Sequence, residues 1–70
     1  MATPLPTYQT TWDIAYNVMT TIRTSTDPEE LAQAATRLAA LNAMVIANPH
    51  LALAYRRGMT RAMDETGDGA

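Results

Sequence analysis

The stretch from Thr26 to Asn48 constrains this chain more than any other. Asp27 suits a helix N-cap and Pro28 the first helical position, while Glu29 and Glu30 set negative charge against the positive end of the dipole. Leu31, Ala34, Ala35, Leu38, Leu41 and Val45 then form one stripe at near-heptad spacing. As far as Arg37 the opposite face is polar, with Gln33, Thr36 and Arg37 on it. Beyond Arg37 that face becomes Ala40, Met44 and Ala47, so the second half is apolar on almost every side. A helix of this kind has to be surrounded. One more helix hardly surrounds it, so the expectation is a partner or a second copy.

Length sets that shortage. Seventy residues allow one domain, and a chain of this size buries only about 60% of the surface its unfolded form exposes. Small folds usually offset the deficit with disulfides, a metal or a partner. With no cysteine, disulfides and thiolate metal sites are excluded, and a single histidine, His50, is too few for an imidazole cluster. Apolar residues at 47% against 17% charged mark a globular chain rather than a disordered one. Homodimerisation is therefore expected, with Leu31, Leu38, Leu41, Asn42, Val45, Tyr55 and Met59 packing the core or the dimer. Asn42, inside the stripe, reads either as an edge residue reaching water or as a buried amide that fixes register against its symmetry mate.

Three other segments complete the chain. Residues 1–9 carry Thr3-Pro4-Leu5-Pro6 and read as an extended arm, either a disordered end or one laid on a partner through Leu5 and Tyr8. Thr10 to Ser25 fits two patterns. As a helix, Thr10 caps, Asp13 follows three residues on, and Trp12, Ile14, Ala15, Val18, Met19 and Ile22 share a face. As a strand, Trp12, Ile14, Tyr16, Val18, Thr20 and Ile22 alternate. The length of the segment and the lack of a second strand favour helix. Asn48-Pro49 ends the middle helix and starts the last, with Asn48 as its cap and Leu51, Tyr55, Gly58, Met59 and Ala62 on one face through Glu65. Gly58 costs about 1 kcal/mol against alanine in a helix interior, which points to a close backbone neighbour. Residues 66–70 read as a flexible tail. The expected fold is all-α: a two- to three-helix domain over residues 10–65, dimeric. Its last two helices, Asp27–Asn48 and Pro49–Glu65, would form an antiparallel hairpin, with the first packed across it.

Little in the chain speaks for catalysis. His50 lies in a first helical turn, where the dipole disfavours its cation. Glu29 with Glu30, and Asp64 with Glu65, are adjacent pairs rather than facing carboxylates. No phosphate loop, nucleophile elbow or zinc-protease motif is present. No enzyme, cofactor or small-molecule substrate is expected. The longest apolar run, Ala43 to Ala47, is far short of a membrane span, and the N-terminus has no signal-peptide pattern, so the expected compartment is the cytoplasm.

What remains points to contact. All five cations are arginines, and Arg57 and Arg61 share a helical face with Arg56 on its other flank. They read as a solvated face sharing charge with Asp64 and Glu65, or as a contact for phosphate or an acidic partner. Leu53 and Met44 fall on the polar sides of their helices, and Trp12 and Tyr16 are of the kind that anchors interfaces. The partner-binding candidates are thus Trp12, Tyr16, Met44, Leu53, Arg56, Arg57 and Arg61.

Two partial resemblances follow. Asn48-Pro49-His50-Leu51-Ala52-Leu53-Ala54-Tyr55-Arg56-Arg57-Gly58 resembles the first helix of a tetratricopeptide repeat, with its aromatic-to-glycine interval one residue shorter than the family's. That family builds solenoids, which one helix pair cannot form. With Thr11 to Thr24 as a strand, the strand–helix–helix order resembles a ribbon-helix-helix repressor, but with a longer middle helix and only Arg23 on the ribbon. Neither resemblance assigns a site residue. The function expected first is a non-enzymatic protein–protein interaction module, such as a phage or mobile-element accessory protein that binds and modulates a host protein. A small dimeric DNA-binding regulator using the last helix is the alternative, less favoured by a formal charge of −2. A structural subunit of a larger assembly is the third.

Overall fold

The structure, a computed structural model, describes residues 7–67. Residues 1–6 of the expected arm, with Leu5, and 68–70 of the expected tail lie outside the described residues. The fold is all-α. Helix α1 spans Tyr8–Thr24, α2 spans Pro28–Ala47, a single 3-10 turn covers Pro49–Leu51, and α3 spans Ala52–Thr66. No strand occurs among the described residues, so the ambiguous segment is helix as far as Thr24, with Ser25 as its C-cap, and the ribbon-helix-helix reading falls away.

Two caps differ from expectation. α1 starts before Thr10 because Thr7 offers the same hydroxyl three residues earlier; its Oγ1 accepts from the Thr10 backbone N–H at 3.1 Å. Asp13, freed from a capping role, accepts from Gln9 Nε2 at 2.9 Å. Asn48 makes no side-chain cap for the segment after it. Its amide instead donates to the Met44 carbonyl at 2.9 Å, closing α2, and Pro49 opens the 3-10 turn rather than α3 itself. The N-terminus of α2 matches expectation: Asp27 Oδ1 accepts from the Glu29 N–H at 2.9 Å, and Pro28 leads the helix.

α1 is the element both others lie on. Across α1 and α2 the order runs in reverse, with Ile14 and Asn17 near Ala40 and Met44, and Thr21 near Glu30 and Gln33. The three-residue link Ser25 to Asp27 thus makes an antiparallel hairpin. Across α1 and α3 the numbers rise together: Tyr8 meets Arg57, Trp12 meets Gly58, Tyr16 meets Glu65 and Arg23 meets Thr66. These two helices are therefore parallel. α2 and α3 diverge by 119° and their backbones stay largely apart, although both send side chains to a common core. For the last two helices, expected as an antiparallel hairpin, the structure shows a 119° turn with little backbone contact between them. The chain makes that turn at Asn48, and α3 then packs on α1 through small residues rather than along α2.

Those small residues explain the packing. Ala15, Ala54 and Ala62 are fully buried. A Cβ at Gly58 would lie 2.5 Å from the Trp12 carbonyl oxygen and 3.0 Å from Ala15 Cβ, so the close backbone neighbour implied by this glycine is α1. Ala15, Leu41 and Met59 form the central cluster, with Met19, Leu38, Met44 and Tyr55 packed against it. Of the expected core positions, Leu41 and Met59 are buried, Leu31, Leu38, Val45 and Tyr55 are half-buried, and Asn42 is exposed.

Candidate interaction surfaces

The first surface lies where α1 and α3 meet solvent. Trp12 and Tyr16, one turn apart on α1, stack with ring centroids 5.2 Å apart and planes 9° from parallel. Next to Trp12, α3 presents Leu53, Arg56, Arg57, Thr60, Arg61 and Asp64 around a shallow groove of about 450 Å3. Leu53 is 47% exposed and lines the groove together with the indole, the two apolar members of its lining. Five of the seven partner-binding candidates line this groove and a sixth, Tyr16, stacks on its tryptophan. Met44 is elsewhere, half-buried beside the core rather than outward as its helical position suggested.

Polar bonds tune the rim. Arg61 Nε pairs with Glu65 Oε2 at 2.6 Å, as the i, i+4 spacing implied. Glu65 also accepts from the Tyr16 hydroxyl across the helix interface. That hydrogen bond first, and the Arg61 guanidinium after it, hold the Glu65 carboxyl below its ordinary range despite partial desolvation. Its reciprocal effect on Tyr16, with partial desolvation and the Glu65 charge, raises the phenol. Arg57 Nη1 donates to the Tyr8 hydroxyl at 3.3 Å, and Arg56 has no ion-pair partner among the described residues.

The second surface is α2. It buries only Ala34 and Leu41. Between it and α1 runs a groove of about 420 Å3, lined by Ile14, Val18, Ala40, Leu41 and Met44 with Asn17 and Arg37. Ala39, Ala43 and Ala47 are exposed on the outward side, and Ile46 is 79% exposed. No charged residue occurs from Leu38 to Ala47. Ile46 is not among the residues named from the sequence, although helical phase on α2 gives a signal for it; Ile14 is, on the shared apolar face of the first helix, and the structure leaves it 37% exposed.

Elsewhere His50 is exposed in the 3-10 turn, and among the described residues no three metal-ligating side chains gather. Among the same residues, no single helix is long and apolar enough to cross a membrane. A scan against protein-family models and searches of curated proteins and solved structures returned no match.

Proposed function

We propose that this chain is a non-enzymatic protein–protein interaction module that works as a pair of copies joined through the outward side of α2. One observation carries the reading: an uncharged stretch of helix with Ile46 79% exposed among exposed alanines. Contiguous apolar surface of this kind marks contact sites. Alanines let two helices approach closely, and a two-fold axis sets one stripe against its own copy. Asn42, exposed at the edge of the stripe, supplies an amide for its symmetry mate. A core in which half the buried apolar residues are alanine leaves a chain of this length short of buried surface, which a second copy supplies.

Sedimentation equilibrium tests this. The wild type sediments as two chains and Ile46→Glu as one, with helical circular dichroism retained. Asn42→Leu changes the oligomeric state or the cooperativity of melting. A wild type that stays monomeric at every concentration overturns the reading.

The exposure of Arg56, Arg57 and Arg61 on one side of α3 favours a second reading, a dimeric DNA-binding regulator. It predicts salt-dependent duplex binding that weakens when Arg57 and Arg61 become alanine. Asp64 and Glu65 beside those arginines place it second.

A further inference from the structure

We propose that the α1–α3 groove binds a short acidic segment of a partner protein, seating one large apolar side chain over Trp12 and Leu53 with carboxylates on Arg56 and Arg57. The inference rests on the interaction-module reading but uses a different face from the α2 stripe.

Charge complementarity selects the occupant. The chain carries a formal −2, yet three of its five arginines line this one groove against a single acid, Asp64. They are not equivalent. Arg61 is already paired with Glu65. Arg57 donates to the Tyr8 hydroxyl, and neither Arg57 nor Arg56 has an ion-pair partner among the described residues. Consecutive residues on a helix point about 100° apart, so the two guanidiniums stand on either side of the line from Leu53 to Thr60. A segment lying along that line meets a cation on each flank, with Leu53 and Thr60 between them and Asp64 beyond Thr60. Acid, large apolar residue, acid is the pattern that matches, and a guanidinium takes a carboxylate in bidentate fashion.

The same geometry disfavours a nucleic acid. A polyanion follows a continuous track of cations. Here the track breaks at Asp64 and at the neutralised Arg61–Glu65 pair.

The test is panning of a displayed random-peptide library on the full chain, followed by anisotropy measurements on the peptide selected most often. Selected peptides are expected to place Asp or Glu around a Leu, Phe or Trp. Affinity should fall about tenfold or more when Arg56 and Arg57 are both changed to Gln, the loss expected for charge-assisted bonds. Leu53→Ser should weaken binding as well, and added salt should too. Ile46→Glu should leave it unchanged, which separates this site from self-association. Both arginines are exposed, so circular dichroism of the double variant should match the wild type. Three results overturn the proposal: no peptide selected from the library, selected peptides without acidic enrichment, or affinity indifferent to Arg56 and Arg57. Displacement of the peptide by a duplex or single-stranded oligonucleotide at equal concentration would overturn it in favour of nucleic acid.

Discussion

α2 and α3 lie on the same helix in opposite ways. α3 meets α1 through alanine and glycine, close enough that a Cβ at residue 58 would press on the Trp12 carbonyl. Side-chain bonds then cross the seam from Arg57 to Tyr8, from Tyr16 to Glu65, and from Arg23 to Thr66 at 2.9 Å. α2 meets α1 through larger side chains, buries only two of its residues, and leaves grooves of about 420 and 230 Å3 along the join. Small residues bring backbones together and fix a geometry; a few large ones hold a helix at a distance and leave its far side open. The contrast assigns different work to each helix. α3 builds a groove with α1, and α2 is left with an open apolar face, the one we propose a second copy covers.

The strongest way to break the contrast is to release α2. Leu41 is its one large buried side chain. Leu41→Ala should cost about 3 kcal/mol, the usual range for a buried leucine, in chemical denaturation at fixed protein concentration. Next is the tight seam. Gly58→Ala should destabilise by about 2 kcal/mol, because overpacking against backbone outweighs the roughly 1 kcal/mol that alanine gains in a helix. A Gly58→Ala variant as stable as the wild type would show that α3 does not sit this close to α1.

How far these features are legible in the chain depends on how local they are. The Asp27-Pro28-Glu29-Glu30 start of α2 reads correctly because a cap is settled within one turn. Thr7 and Thr10 carry the same hydroxyl three residues apart, so type alone does not choose the cap. Asn48 is equally suited to closing one helix and opening another. The parallel pairing of α3 with α1 is not local at all. Sequence neighbours suggest a hairpin of the last two helices, whereas Ala15, Ala54, Gly58 and Ala62 decide the packing by allowing close approach. Gly58 is the residue that announces this. The site follows the same rule: Trp12, Leu53 and the three arginines stand out by type, but that they share one groove depends on the α1–α3 seam. Met44 reads as outward from its helical position and is half-buried because α1 covers that side of α2.

A smaller effect sharpens the account of α1. Thr11 is fully buried and its hydroxyl has no hydrogen-bond partner among the described residues. Thr11→Val keeps the shape and removes an unpaired polar group, so it should stabilise by about 1 kcal/mol, read as a shift in denaturation midpoint.

The smallest effect is the pH dependence of the seam. Glu65 is held below its ordinary range, so its contribution is complete above the unfolded glutamate value of about 4.3 and is lost as pH falls through the lowered folded value. Tyr16 is raised, so its contribution is complete below about pH 10 and is lost as pH rises through the folded value. Thermal melts should show both limbs in the wild type and a shallower dependence at each end in Tyr16→Phe. Identical profiles would mean the Tyr16–Glu65 bond does not tie α3 to α1 in solution.

The claim that α2 is covered by a second copy is tested most directly by a distance between copies. The chain has no cysteine, so Ala43→Cys and Thr60→Cys each accept a single spin label. Labels at residue 43, on the open side of α2, should give a clear intermolecular dipolar signal at a shorter distance than labels at residue 60, on the outer side of α3. A residue-43 signal absent at every concentration, or a distance longer than that at residue 60, would contradict the arrangement.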